Sequence, residues 1–105
     1  MRIDRHPAVL EEDLPGIYAH IARDNPAAAE RLLDAVELAF AQIAAQPEIG
    51  VLYATRNPQM KAVRMLPISG NYLVFYRLES DSVRVLYIVH GARHLPRLFR
   101  GEPRA

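Results

Sequence analysis

The sequence predicts an α+β fold in the order β-α-α-β-β-β, a helical hairpin packed on a small antiparallel sheet, in one domain over residues 1–105. Three observations predict it. Apolar residues recur at helical spacing on both sides of Asn25-Pro26. Beyond residue 60, three runs rich in Val, Leu, Ile, Tyr and Phe follow one another. A chain of 105 residues with 50% hydrophobic composition builds one modest core and leaves no room for a second.

A short strand is expected near residues 2–6. Leu14, Ile17, Tyr18, Ile21 and Ala22 then mark an amphipathic helix over 11–23. Pro15 and Gly16 fit it only if the helix begins close by, with Glu12 or Asp13 near the cap and the proline in the first turn. Asn25-Pro26 ends this helix and starts a second. Proline disfavours helical geometry at the residue before it, asparagine caps, and proline suits the first helical position. Ala29, Leu32, Leu33, Val36, Phe40, Ile43 and Ala44 give the second helix its apolar stripe, which Pro47 ends.

Residues 47–60 contain Pro47, Gly50, Asn57 and Pro58 without a sustained period and read as a loop. Strands at 61–66, 72–79 and 82–90, joined by polar turns at 68–71 and 80–81, make an antiparallel meander. Leu95 to Arg100 is expected to add a short terminal helix or turn. In the middle strand Tyr72, Val74, Tyr76 and Leu78 share one face, and Leu73, Phe75 and Arg77 the other. Both faces are largely apolar, so a partner is expected to cover the one the helices leave open.

The absence of cysteine excludes a disulfide framework and a thiolate zinc site. A net charge of +1 conceals two opposite halves. Residues 1–50 carry four Arg against nine Asp and Glu, whereas residues 51–105 carry nine Lys and Arg against three. The basic half suits an acidic protein or a nucleic acid, or forms a solvated surface. The N-terminus has no secretory hydrophobic region and no segment has the length of a membrane span, so a cytoplasmic protein is expected. The five glycines are scattered and no Ser-His-Asp context occurs, which leaves phosphate-loop and hydrolase readings without support.

Three sets of residues admit two readings each. Arg93 between His90 and His94 forms a phosphate-binding and proton-transfer cluster, or His90 simply ends a strand half-buried with His94 in solvent. With no acidic cluster nearby, neither a metal nor a cofactor is expected. Tyr72, Phe75, Tyr76 and Tyr87 form a stacking surface for bases or fill the two faces of the sheet. Arg64, Arg77 and Arg84 anchor the acidic side chains of a partner, or lie solvated with their stems over apolar surface.

Several short motifs run in order over almost the whole chain. They are Pro7-Ala8 with Glu12-Asp13-Leu14 and Ile17-Tyr18-Ala19-His20-Ile21-Ala22, then Asn25-Pro26-Ala27-Ala28-Ala29, and Pro47 with Gly50. Tyr72-Leu73-Val74-Phe75-Tyr76-Arg77 and His90-Gly91-Ala92-Arg93 complete the set. In this combination the chain resembles the RelE/ParE superfamily of bacterial type II toxin-antitoxin toxins, most closely the ParE, or plasmid stabilisation, branch. The resemblance implies a RelE/ParE-like fold and a growth-inhibiting toxin neutralised by a cognate ParD-like antitoxin.

The superfamily divides by mechanism. RelE-like members are ribosome-dependent messenger RNA endoribonucleases, and Arg64 and Arg93 match two places of their basic set. Ala62, Leu73 and Phe99 stand where such a member has a basic residue, an arginine and a tyrosine. Cleavage through the 2′-hydroxyl needs a proton acceptor and stabilisation of the phosphorane, so losing three of five groups is hard to absorb. ParE-like members lack this set and inhibit DNA gyrase by binding. The resemblance therefore implies no catalytic residues. Arg64, Arg93 and His94 are the set required by the nuclease alternative, which alone involves direct contact with nucleic acid. Contacts with antitoxin or target are expected from Arg64, Tyr72, Tyr76, Arg77, Arg84, Arg93 and Phe99. Many relatives have Asp after the final arginine, whereas here His94 follows Arg93. A further alternative is a non-toxic module that only binds antitoxin.

Overall fold

The computed structural model describes residues 1–54, 56–91 and 103–105. Arg2–Arg5 (β1), Val51–Leu52 (β2), Val63–Ile68 (β3), Tyr72–Leu78 (β4) and Ser82–His90 (β5) form one sheet. Its order is β1-β5-β4-β3-β2. The meander β3-β4-β5 is antiparallel as expected, but β1 runs parallel to β5, which makes the sheet mixed. A parallel pair needs a long crossover, and the two helices between β1 and the meander supply it.

Helical backbone begins at residue 7, four residues before the expected start. His6 closes the first turn: its carbonyl accepts from Val9 N at 2.9 Å and its Nδ1 from Ala8 N at 3.1 Å. Val9–Asp13 then forms a π turn in which Leu14 N–H reaches back to Val9 O, and α1 follows over Leu14–Ala22. Pro15 thus sits inside a longer helix, not in its first turn. A proline ring collides with the carbonyl four residues back in a regular α-helix, and the widened turn just before it relieves that contact. Asn25 caps α2 (Pro26–Ala45) as expected, its side chain accepting from Ala28 N at 3.0 Å.

The His6 cap makes the fold sensitive to pH, because a protonated Nδ1 cannot accept from Ala8. Burial, reinforced by the charges of Arg104 and Arg84, holds its pKa below the ordinary 6.5. The unfolded chain therefore takes up the proton first. This contribution is complete above the unfolded value and is lost as pH falls from about 6.5 toward the depressed folded value. Urea unfolding of His6→Asn, which retains a cap, should show a shallower loss of stability over that interval than the parent chain.

The apolar side chains lie in two layers. Between helices and sheet, Val9, Leu32, Val36, Phe40 and Ile43 meet Val74, Tyr76, Val83, Val85 and Ile88. On the opposite face, Phe75, Leu86, Tyr87 and Val89 pack with Met60 and Val63, and half-buried Tyr53, Met65 and Leu73 join them. The expectation that this second face needs a partner is corrected. Tyr53 and Met60, between β2 and β3, cover it, with Met60 wholly buried and the Tyr53 ring meeting Phe75 edge-on at 5.5 Å. A bulge helps fill it: Phe75 pairs Tyr87 but Tyr76 pairs Val85, so Leu86 is an extra residue that lets Leu86 and Tyr87 both join this layer.

Two strand boundaries also differ from expectation. The loop 47–60 contains β2 and a 3₁₀ turn at Pro58–Met60. β3 starts at Val63 and not at Lys61, because Ala62 adopts a left-handed φ of 69° that interrupts extended backbone. The Leu95–Arg100 element lies outside the described residues.

Candidate partner-binding face

Tyr76 was expected at a contact surface, and the structure buries it completely. Its hydroxyl accepts from Gly50 N at 2.8 Å and donates to Pro47 O at 2.8 Å, tying the 47–50 turn to the sheet. Burial raises its pKa above the ordinary tyrosine value, against smaller opposing effects of the Gly50 N–H and the Arg64 charge. Such a side chain offers no surface to a partner; its work is internal.

Arg64 lies opposite Tyr76 across the β3–β4 ladder and fastens the same turn from outside. Its Nη1 donates to Gly50 O at 2.7 Å and, more weakly, to Glu48 O at 3.4 Å. These bonds turn Nη1 to the loop carbonyls and leave only the Nη2 and Nε N–H groups for any other acceptor. Ala62 and Leu73 give this part of the sheet no further cation, and Leu73 packs in the second apolar layer.

Arg77 and Arg84, both half-buried, form a basic pair. They sit directly opposite each other on β4 and β5, so two like charges face across the ladder. Arg77 is 3.9 Å from Glu79, with its side chain 26% exposed, while Arg84 is in register with Asp4 of β1. Asp4 also pairs with Arg2 at 3.2 Å, and that hydrogen bond, assisted by the charges of Arg2 and Arg84, lowers its pKa. Arg77, Gln59, Pro103, Arg104 and Ala105 line an open hollow of about 370 Å³, and Ala105 O lies 3.4 Å from Arg84 Nη2.

Arg104 belongs to this neighbourhood but is already neutralised. Its guanidinium forks onto Asp13 at 2.6 and 3.1 Å, donates to Leu86 O at 3.1 Å and lies 4.4 Å over the Tyr87 ring. Sequence reading did not find this pair, since 91 positions separate the partners and Arg104 stands in no motif. Tyr72 is half-buried beside the helical layer, its ring edge-on to His90 at 5.2 Å. His90 is half-buried as one of its two readings has it, and its buried Nδ1 has no hydrogen-bond partner among the described residues. Arg93, His94 and Phe99 lie outside the described residues, so the Arg-His cluster has no geometry to report. Among the described residues no three acidic, cysteine or histidine side chains gather as metal ligands would. There, too, no helix is long and apolar enough to cross a membrane.

The fold and sequence both have counterparts. No curated protein matches the sequence significantly. A solved structure described as the chromosomal ParDE TA system from P. aeruginosa matches with a TM-score of 0.70 at 17% identity, over 86% of this chain and 95% of that one. It shares the helical hairpin and sheet, which at this identity is a likeness of fold. The family model for the ParE toxin of the type II toxin-antitoxin system parDE matches residues 6–95, from the histidine cap beyond the end of β5. The chain therefore belongs to the ParE toxin family of type II toxin-antitoxin systems.

Proposed function

We propose that this toxin stops growth by binding and poisoning DNA gyrase, without catalysis of its own, and that a ParD-like antitoxin encoded with it holds it inactive in the cytoplasm. The observation that carries the reading is the state of the sheet where a nuclease would work. Arg64 is committed to the Gly50 and Glu48 carbonyls, and Ala62 and Leu73 supply neither charge nor proton transfer. The solved neighbour described as a ParDE system favours a ParD-like partner. Arg77 and Arg84 are the anchors we assign to acidic side chains of that antitoxin; Tyr72, at the other end of β4 and on its opposite face, and Arg93 and Phe99, beyond β5 in sequence, are separate contacts of the same proposal. Tyr76 is withdrawn from the contact set because it is buried.

Pulse labelling in bacteria during the first minutes after induction tests the target. Thymidine incorporation should fall before amino-acid incorporation, and co-expressed antitoxin should restore both. Earlier loss of protein synthesis, sensitive to Arg93→Ala with His94→Ala, would establish the ribosome-dependent nuclease instead. No effect on either, with antitoxin binding retained, would leave only the non-toxic binding module.

A further inference from the structure

β2 is an edge of the sheet, paired with β3 on one side and with no strand among the described residues on the other. Val51 and Leu52 are each 60% exposed and Ile49 36%, which sets three large apolar side chains in solvent within four positions. Neither residue of the strand is charged, so only its shortness guards this edge against pairing. Tyr53 N donates to Val63 O at 2.8 Å, continuing the register of the Val51–Met65 and Leu52–Arg64 pairs. Successive residues of an antiparallel ladder turn their backbone groups to opposite sides. Val51 and Tyr53 therefore face β3, and Leu52 between them presents its N–H and C=O to the open side.

The two ends of this segment carry opposite charge. Glu48 and Arg56 are both exposed, each four positions from Leu52, and among the described residues neither is in an ion pair. Lys61 strengthens the basic end, where it joins Leu52, Tyr53 and Arg56 in lining an open hollow of about 340 Å³.

We propose that two copies of this chain pair through β2, antiparallel about a two-fold axis at Leu52, so that their five-stranded sheets become one. The axis lets the two Leu52 residues exchange both backbone hydrogen bonds and brings their side chains together, with Val51 of each copy across from Tyr53 of the other. It also turns Glu48 of each copy toward the Arg56 and Lys61 hollow of the other, so the charge contact is made twice. This complementarity selects the occupant. A parallel copy would set like charge on like, and a strand of uniform charge would be repelled at one end. Arg77 and Arg84 lie two and three strands away, so this edge is separate from the anchors assigned to the antitoxin.

So short a strand makes a small interface, and a dissociation constant of about 10–100 µM is expected. Sedimentation equilibrium of the full chain between about 5 and 500 µM should show the average mass rising toward two chains and no further. Leu52→Asp should weaken the association at least about tenfold while the melting temperature holds, because the side chain it replaces lies mostly in solvent. Glu48→Arg alone and Arg56→Glu alone should each weaken it by about three- to tenfold. Both changes in one chain should restore it, since the swap re-forms each contact with its signs exchanged. That rescue is peculiar to the antiparallel pairing and separates a lost contact from a damaged fold. A chain that stays monomeric throughout, a mass above two chains, a dimer that Leu52→Asp leaves intact, or a charge swap that restores nothing overturns the proposal.

Discussion

Tyr76→Phe should destabilise the fold by about 2–3 kcal/mol and lower its melting temperature by roughly 10–20 °C, although a single oxygen is removed. The hydroxyl satisfies the Gly50 N–H and the Pro47 carbonyl, the first of them buried. Phenylalanine leaves both without a partner, and an unmade buried hydrogen bond costs more than a made one gains. Gly50→Ala attacks the same junction by volume. Its methyl would lie 2.7 Å from the Tyr76 hydroxyl, 2.8 Å from Cε1 of that ring and 3.0 Å from Met65 O. The ring is fully buried and the carbonyl belongs to β3, so neither can swing aside, and roughly 1–3 kcal/mol is the expected loss. Combined, the two changes should destabilise by less than their sum, because phenylalanine removes the atom the new methyl strikes hardest. Urea denaturation followed by circular dichroism gives all three values. Strict additivity would mean that the hydroxyl and the 47–50 turn act independently.

The parts of the fold legible in the sequence are those governed by local rules. Asn25-Pro26 is a cap followed by a proline without an N–H to lose, and the structure puts α2 where that chemistry requires. The meander follows from β-branched and aromatic runs punctuated by polar turns, with Gly70 at a φ of 71° in the turn between β3 and β4. What escaped depends on contacts distant in sequence. The first helix starts early because His6 and Pro7 begin it and a π turn then accommodates Pro15, a device that no hydrophobic period reveals. Two-residue β2 exists only because β3 pairs with it. The alternation read in β4 holds, but the Leu86 bulge breaks it in β5, and Tyr53 and Met60 supply the cover assigned to a partner.

For the site, charge was legible and its compensation was not. Arg64, Arg77, Arg84 and Arg104 look alike in the sequence. In the structure one is bound to loop carbonyls, one is paired with Asp13, and two face each other across a ladder. Only the last two keep the character of an anion-binding surface. Tyr76 looked equivalent to Tyr72 because both occupy the same face of β4. The helices bury one and leave the other half-exposed, since Tyr72 lies at the end of the strand.

Arg104→Ala should destabilise the chain by about 2–4 kcal/mol, far more than a surface arginine would. Its partner Asp13 is only 11% exposed at the side chain and Arg104 19%, so most of the pair is shielded from water. The loss is more than Coulombic. Asp13 also accepts from Ile88 N at 3.1 Å, and Arg104 donates to Leu86 O, so together they occupy the edge of β5 that β1, pairing only with Ser82 to Val85, leaves bare. Removing the arginine strands a shielded carboxylate beside one N–H and leaves the Leu86 carbonyl without that donor. Arg104→Lys should recover only part, because an ammonium lacks the fork that meets both Asp13 oxygens and the flat face that covers Tyr87. Asp13→Asn keeps an acceptor for Ile88 N–H and should cost less than Arg104→Ala. A double-mutant cycle on the two positions should give a coupling of about 1–3 kcal/mol that changes little with added salt. Coupling near zero would show that Arg104 acts only through its packing on Tyr87. A large coupling has a consequence for the basic rim. Arg104 holds Pro103 and Ala105 in the hollow beside Arg77, so its loss should expose Arg77 and Arg84 further and strengthen, not weaken, their grip on an acidic peptide.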